Sequence, residues 1–579
     1  MNQDDIIAVL ENIARLLELK GENPFKVRAY TNAARALETL SESLETLVAE
    51  DRLAEIEGLG KATSEKIATL VREGKLEYYD QLAGEFPPDI LGLFEIQGLG
   101  AKKIKVLWDA LKIHSVSTLE TACRSGKVAE LPGFGAKTAA NILQAIEHNK
   151  TRAGQFRIGD VTALAESLLD DLRSHPQVNH VQIAGSYRRK KEIVRDLDFI
   201  VTSRHPAEVS DFFTSHPLVE SVLAKGATKS SVILKSGIQC DLRVVSDGEY
   251  PFALAYFTGS KEHNVRIRSR ALARGWSLNE YRFSEAEGRA LKEPLPEIHE
   301  ENDIYRALDL EPVAPELRED RGEIEAAEAH ALPKLIEWQN LRGAFHVHTN
   351  ESDGRASLED MAEAARELGL EYLGISDHSK SSFQAHGLDA ARLAAQVKKI
   401  RSLSGDSLHL FAGTECDILK DGSLDFSDDV LASLDYVVAS IHSSFSLSEA
   451  DMTQRIIRAI SNPYVTMLGH LTGRLLLGRE TYRVNIPAIL DAAAETGTII
   501  ELNANPRRLD MDWRWWPLAR EKGVRCAINP DAHTTEGLKD LIFGVGIARK
   551  GWLTKDDVIN TRPLHQVLPL LAAKRDRIR

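Results

Sequence analysis

A chain of 579 residues is too long for one hydrophobic core and should divide into several domains. Its 43% hydrophobic and 27% charged content is ordinary for globular protein, and no apolar run approaches the roughly 20 residues of a membrane span. The formal net charge of −14 argues against a uniformly basic nucleic-acid binder but leaves room for local basic stripes. The start, Met1-Asn2-Gln3-Asp4-Asp5, lacks the basic-then-apolar pattern of a secretory signal. Cys123, Cys240, Cys416 and Cys526 are scattered without a CxxC pair, which suits a reducing cytoplasm.

Residues 1 to about 150 read as helical. One unit recurs three times: Ile56-Glu57-Gly58-Leu59-Gly60-Lys61, Ile96-Gln97-Gly98-Leu99-Gly100-Ala101 and Leu131-Pro132-Gly133-Phe134-Gly135-Ala136. Each opens a new helical pattern. Glycines at such a turn let a phosphodiester approach bare backbone N–H groups at the helix start. The unit resembles the helix-hairpin-helix, a clamp for the DNA backbone that ignores sequence. Its glycines, Gly58, Gly60, Gly98, Gly100, Gly133 and Gly135, are the candidate DNA contacts.

Residues 151 to about 258 alternate helix and strand. Strands are expected at Val181–Ala184, Leu197–Val201, Ser231–Leu234 and Asp241–Val245, the last reached by a hairpin turning at Lys235-Ser236-Gly237. Asp196 and Asp198, two apart on one strand, point to one face and can hold a divalent cation through hard oxygen ligands. Asp241 adds a third acid from a neighbouring strand. A Gly-Ser turn, Gly185-Ser186, and the run Arg188-Arg189-Lys190-Lys191 precede them. This set resembles the palm of a family X DNA polymerase, the DNA polymerase beta family. Tyr256-Phe257-Thr258-Gly259-Ser260, then Asn264 and Arg268, then Gly275–Tyr281, is similar to that family's thumb around the incoming nucleotide.

The resemblance implies metal binding by Asp196, Asp198 and Asp241, with Mg²⁺ or Mn²⁺, and phosphate contacts from Gly185, Ser186 and Arg189. It further implies that the segment holding Tyr256, Phe257 and Gly259 crowds the sugar 2′ position, and that Asn264 and Arg268 sense the minor-groove edge of the nascent pair. Lys66 falls where the family's lyase forms a Schiff base, but Ala62 replaces a further lysine. Residues 1 to 100 also carry ten basic against nineteen acidic side chains, so lyase activity is expected to be weak or absent.

Lys261 to Arg282 holds six basic residues against two acids, a stripe suited to phosphate. Glu316 to Glu328 is dense in charge and free of aromatics, which reads as an exposed, partly helical connector.

From Gly343 seven β-rich segments end in or beside polar ligand types: Ala344–His348, Tyr372–Ser376, Leu408–Glu415, Tyr436–His442, Val465–His470, Thr498–Asn503 and Arg525–Asn529. Helical patterns such as Leu358–Leu368 and Ile486–Glu495 separate most of them, as in a barrel of TIM type. His346, His348, Asp353, Asp377, His378, Glu415, His442, His470, Asp531 and His533 cluster at these ends. The pattern resembles the PHP (polymerase and histidinol phosphatase) domain. That resemblance implies His346, His348, Asp353, His378, Glu415, His442, His470, Asp531 and His533 as ligands of two or three Mn²⁺, Zn²⁺ or Fe²⁺ ions, with Glu415 bridging and Asp377 supporting from outside. His386 and Arg474 are loop residues within reach of a substrate phosphate, but a solvated loop is the favoured reading of each.

The order of parts is similar to bacterial family X DNA polymerases with a carboxy-terminal PHP domain. The expected fold is multidomain: an α-helical helix-hairpin-helix region, an α+β nucleotidyltransferase palm and thumb, and an α/β TIM-like seven-stranded PHP barrel. Expected boundaries are 1–84 and 85–150 for the two helical regions, 151–258 for the palm, 259–318 for the thumb, 319–342 for a linker and 343–579 for the barrel. The implied activity is short-gap filling in DNA repair with deoxynucleoside triphosphates on gapped or primer–template DNA. The barrel would add 3′–5′ exonuclease and possible abasic-site or 3′-end processing. A cytoplasmic, nucleoid-associated, monomeric bacterial protein is expected, with no membrane partner and with other repair proteins as candidate partners.

Overall fold

A computed structural model describes residues 3–38, 44–53, 56, 58–96, 98–152 and 154–576. Glu57 and Gln97 of the repeated turns, and the first two residues, lie outside them. The chain forms two compact units, Met1–Ala153 and Gly154–Arg579.

The first unit is helical. Helices Lys61–Glu73, Ala101–Leu111 and Ala136–Arg152 each follow one of the Gly-apolar-Gly turns. The leading glycine of each turn, Gly58, Gly98 or Gly133, has φ between 82° and 92°, where a side chain would be strained. The apolar residue packs inward: Leu99 and Phe134 are buried, and Leu59 is half-buried against the same core. Gly60 and Gly100 cap their helices without a side chain, which leaves the approach to the helix start open.

The second unit begins with a five-stranded sheet. Its strands are β1 (His180–Ile183), β2 (Asp196–Thr202), β3 (Val219–Lys225), β4 (Lys229–Leu234) and β5 (Gln239–Val245), in the order β1-β2-β5-β4-β3. Only β2 and β5 run parallel. Leu197, Phe199 and Val201 bury one face of β2 against the helix Ile158–Ser174, whose Val161, Ala165, Leu168 and Leu172 supply the matching stripe. Each such side chain contributes about 1.5–3 kcal/mol. Alternation then sends Asp196 and Asp198 to the opposite face. Strand β3 was not expected; it is an edge strand with most residues exposed, so it lacks the half-buried alternation that marks a strand in sequence.

The thumb packs Phe252, Ile267, Trp276, Phe283 and Tyr305 together with Val313, Leu317 and Ile324. The last two belong to the stretch expected to be an exposed connector, and that expectation fails. Arg318 and Glu323 are fully buried, and Glu316 nearly so. The charges are consumed by partners far away in sequence: Arg318 pairs with Glu301, Glu323 accepts from His263 at 2.7 Å, Glu316 from Arg549 at 2.7 Å, and Glu319 from Arg189 at 3.0 Å and Lys550 at 2.5 Å. Charge density there records a packed ion-pair hub, not solvation.

The barrel half carries β6 (Gly343–Val347), β7 (Tyr372–Ile375) and β8 (His409–Ala412) in one parallel sheet. β9 (Glu415–Asp417), β10 (Val438–Ser440), β11 (Met467–Leu468), β12 (Ile499–Asn503) and β13 (Cys526–Asn529) form another. β8 and β9 are one run interrupted at Gly413-Thr414, so the strands form seven segments in succession. Single parallel bridges join His378 to Glu415 and Val347 to Ala532, the second bringing the first strand beside the last. Phe345, Tyr372, Phe411 and Tyr436 fill the interior. Gly374 makes room for them, since a Cβ there would lie 2.6 Å from both Phe345 and Tyr436. With the interior plugged, the strand C-termini form the floor of a cleft.

Candidate active sites

The palm site is set by register. Asp198 on β2 lies directly opposite Asp241 on β5, with Asp196 one pleat earlier on the same face. Gly185 opens a four-residue helix at φ 63°, and a Cβ there would sit 2.5 Å from Asp198 Oδ2. Glycine is therefore what lets the Gly-Ser turn close over the acid. The Ala184 N–H donates to the Asp198 carbonyl at 2.7 Å, which fixes the turn to the strand. Gln239 donates to Asp241 at 2.9 Å, and the Lys229 ammonium lies 3.5 Å away. Burial, then Asp196 and Asp241, push the Asp198 carboxyl up to about 7. Burial and Asp241 also raise Asp196. Three hard-oxygen acids on one face, with Asp196 and Asp198 held up by burial and like charge, form a site suited to Mg²⁺ or Mn²⁺.

Tyr256, Asn264 and Arg268 line one cavity, together with Asn279. Asn264 donates to the Tyr256 carbonyl at 2.7 Å, and Phe257 lies under Arg243 with 4.0 Å from guanidinium to ring. Ser186 and Asp196 line a different cavity. Arg189, expected to face phosphate, is committed: it bonds Glu319 and the Thr258 carbonyl, and it packs on Gly259. Arg188 is likewise held by Glu301 and Thr258. Half of the six cations in the Lys261–Arg282 stripe are also neutralised, Arg266 by Asp320 and Glu325, Arg270 by Glu328 and Arg274 by Asp309.

In the first unit, Lys66 Nζ stands 4.9 Å from the Tyr78 ring centre and 5.8 Å from that of Tyr30, and donates to the Ala62 carbonyl. No second lysine reinforces it at position 62.

The barrel brings nine donors together. Among the described residues, the sets whose donor atoms lie within 4.8 Å of one another are His348, Asp353, His378 and His533; His346, His348 and Glu415; His346, His470 and Asp531; and His378, Glu415 and His442. The palm trio is drawn less closely and is not among them. Glu415 is the hub: its two oxygens lie 2.8 Å from His378 Nδ1, 2.9 Å from His470 Nε2, 3.2 Å from His346 Nε2 and 3.3 Å from His442 Nε2.

Local backbone makes this possible. Phe345 and His346 both face inward, which regular alternation forbids. A register shift between Ala344 and Val347, with His346 at φ 58°, turns the ring into the site. Asp531, at φ 51°, is turned in the same way. For non-glycine residues such angles cost of order 1 kcal/mol or more, and they cluster at functional sites.

The donor set fits metal. His346 Nε2, both His348 ring nitrogens, His378 Nδ1, His470 Nδ1 and Glu415 Oε2 are buried without a hydrogen bond. Such orphaned atoms are costly unless a ligand engages them, and imidazole mixed with carboxylate suits Zn²⁺, Mn²⁺ or Fe²⁺. Burial opposes charge throughout, yet His442, His346 and His378 hold Glu415 well below the usual carboxylate range. Glu501, Glu415 and Asp531 likewise outweigh burial and hold His346 well above the ordinary imidazole value. Burial, with His533 and His378 nearby, lowers His348 to about 3.

Two supporting acids were not expected. Glu501 is fully buried, lies 2.5 Å from His346 Nδ1, and accepts from the His470 N–H at 3.0 Å. Asp417 fixes His442 through Nδ1. Each left a signal: Glu501 is an acid in the apolar run Ile499–Leu502, and Asp417 shares a strand face with Glu415. Asp377 supports the loop after His348, accepting from Thr349 and Ser352. His386 is exposed. Arg474 is not solvated: it binds Asp512, Glu192 and two carbonyls, and only 12% of its side chain is exposed.

Comparison with known proteins agrees with both halves. Family models match for a helix-hairpin-helix domain at residues 1–76, a tandem of the same kind at 90–147, the DNA polymerase beta thumb at 253–319 and the PHP domain at 344–505. A Bacillus subtilis protein named DNA polymerase/3′-5′ exonuclease PolX is 39% identical over 98% of this chain and 99% of its own length. Two proteins named probable phosphatases match shorter stretches of the chain. One, from Thermoanaerobacter, is 30% identical over 37% of this chain and 89% of its own length; the other, from Caldanaerobacter subterraneus, is 29% identical over 41% and 94%. With its palm acids in register and a histidine-rich barrel on the same chain, this protein belongs to the bacterial family X DNA polymerases that carry a carboxy-terminal PHP domain.

Proposed function

We propose that the chain is a DNA-directed DNA polymerase that fills short gaps during repair, and that its barrel is a separate 3′–5′ exonuclease able to process 3′ ends or abasic sites. The observation that carries this reading is the pairing of Asp198 with Asp241 beneath the Gly185-Ser186 turn, on a chain that also gathers nine metal-type donors in its barrel. Asp196, Asp198 and Asp241 hold Mg²⁺ or Mn²⁺, with Asp241 facing the primer 3′-hydroxyl. His346, His348, Asp353, His378, Glu415, His442, His470, Asp531 and His533 hold two or three Mn²⁺, Zn²⁺ or Fe²⁺ ions. Bound metals supply charge neutralisation at phosphorus and lower the pKa of the attacking hydroxyl or water.

The protein's own residues do the positioning. Ser186 faces the phosphates, the Tyr256–Gly259 segment bounds the sugar, and Asn264 with Arg268 reads the minor-groove edge. Glu501 and Asp417 orient His346 and His442. The functional parts are residues 1–84, 85–150, 151–258, 259–318 and 343–579, with 319–342 as the linker between thumb and barrel. The helix-hairpin-helix turns grip the DNA backbone. Lyase activity at Lys66 is weak or absent. The protein acts as a monomer in the bacterial cytoplasm, near the nucleoid.

Primer extension on a one-nucleotide gap tests the reading. Template-directed insertion by the full chain is expected. Untemplated addition on single strands, or no synthesis with any divalent ion, refutes it. Borohydride trapping on a 5′-deoxyribose-phosphate end, abolished by Lys66→Ala, would overturn the lyase assignment.

A further inference from the structure

A cavity of about 600 Å³ opens between the palm and the barrel. Ser186 and Asp196 stand on its palm wall, and Trp513 and Arg514 on its barrel wall. Asp198 and Asp241 do not line it, so it lies on the Ser186 side of the acids, away from the carboxylate assigned to the primer. Besides Asp196, which belongs to the metal trio, its acids are Glu192 and Asp512, and both are already matched. Arg474 holds Glu192 at 3.3 Å and Asp512 at 2.9 Å. Asp512 in turn grips Arg514 by two parallel bonds, from Nε at 2.8 Å and Nη2 at 2.7 Å. That fork fixes the guanidinium while 56% of the side chain stays exposed and Nη1 makes no hydrogen bond among the described residues. Lys191 and Arg195 on the palm wall are also lightly held: among the described residues the Lys191 ammonium pairs with Glu319 alone, at 3.9 Å. Meanwhile the two arginines next to Ser186 are spent on Glu301, Glu319 and Thr258. The cations around this cavity remain placed to meet a polyphosphate.

We propose that the barrel completes the polyphosphate side of the polymerase site: Arg514, with Lys191 and Arg195, binds the distal phosphates of the incoming nucleotide and the pyrophosphate that leaves. This rests on the polymerase reading above. In the transfer the 3′-oxygen bonds to the α-phosphorus as the α–β bridging bond breaks. The pyrophosphate keeps that electron pair, and the hydroxyl proton passes to Asp241 and on to water. The new charge appears on the group nearest the cavity, where a preorganised guanidinium stabilises it without moving.

The test is pyrophosphorolysis by the full chain, read as formation of labelled deoxynucleoside triphosphate from labelled inorganic pyrophosphate. Arg514→Gln should raise KM for pyrophosphate by about tenfold, the loss of one charge-assisted contact, and raise KM for the incoming nucleotide in parallel. Arg514→Lys should recover part of the loss. Exonuclease rate checks that the barrel is folded. If Arg514→Gln disturbs the barrel, Lys191→Gln on the palm wall gives the same readout and the same expected direction. Unchanged KM for pyrophosphate in folded variants, or a fall in kcat alone, overturns the proposal. If the wild type inserts no templated nucleotide, the polymerase reading fails instead.

Discussion

The palm and the barrel solve opposite electrostatic problems. In the palm, acids face acids: Asp196, Asp198 and Asp241 share one side of a strand pair, and Asp198 is pushed up to about 7 by burial and its like-charged neighbours. In the barrel, acids face imidazoles: Glu415 and Asp531 are held far below the usual range although both are deeply buried. The first site is built around like charge that Lys229 and Arg243 relieve in part and that added cations would relieve further. The second balances much of its charge internally, so its donors can be packed closely and buried. A partly open trio suits metals that arrive with a nucleotide, whereas a closed nest suits metals that stay.

The sharpest way to break this comparison is to disable one site at a time. Asp198→Ala should cut gap-filling by at least about 10³-fold and leave Mn²⁺-dependent nuclease activity near the wild-type rate; His348→Ala should do the reverse. Loss of both activities from either change, in protein with a normal circular dichroism spectrum, would show that the sites are not independent.

A second test concerns a buried acid of the barrel's kind that lies outside both sites. Burial works against the Glu301 charge, but Arg318 and Arg188 bring its pKa down to about 2. A carboxyl whose folded value is depressed adds stability above its unfolded value, near 4.5, and that stability is lost as pH falls towards 2. The expected size is about 3 kcal/mol. The thermal midpoint of the wild type should therefore exceed that of Glu301→Gln at pH 6, with the gap closing between pH 4.5 and 2. A gap that stays constant with pH would rule out the ion pairs as its cause.

Two smaller effects sharpen the contrast. Gly185→Ala puts a methyl 2.5 Å from Asp198 Oδ2 and should displace that acid, lowering polymerase kcat by about 10²-fold with nuclease activity intact. Glu501→Gln weakens the hold on His346 and should lower metal affinity in the barrel by about 10–100-fold, measured by Mn²⁺ titration, without touching synthesis. Equal metal affinity in the two proteins would remove Glu501 from the supporting role given to it.

Much of both sites was legible because most of the candidate side chains sit at or near one terminus of a strand, and strand termini can be read from apolar runs. The acids of β2 and β5 and the nine barrel donors emerged in that way. What escaped depended on contacts between distant parts. Strand β3 lies at an edge with most of its surface exposed, so no alternation announced it. The connector looked solvated because the partners of its charges, Glu301, Arg189, His263 and Lys550, lie as many as 231 residues away. The inward turn of His346 needs a register shift that residue type alone does not encode. Arg189 and Arg474 show the same limit in opposite directions: the first was expected to reach phosphate and is tied to protein, while the second was expected to be solvated and is enclosed.

Lys550 has a consequence for how such a chain is taken apart. Its ammonium, with no exposed surface, ends against the Arg189 carbonyl and the Glu319 carboxylate. Cutting between thumb and barrel would strand a bare cation on one fragment and leave Glu319 on the other with Arg189 as its remaining close partner. Neither piece would be the original half in isolation. Fragments made to separate the two activities should be soluble only when that lysine and that glutamate are neutralised together, so the tidy modular boundary in the sequence is the wrong place for the scissors.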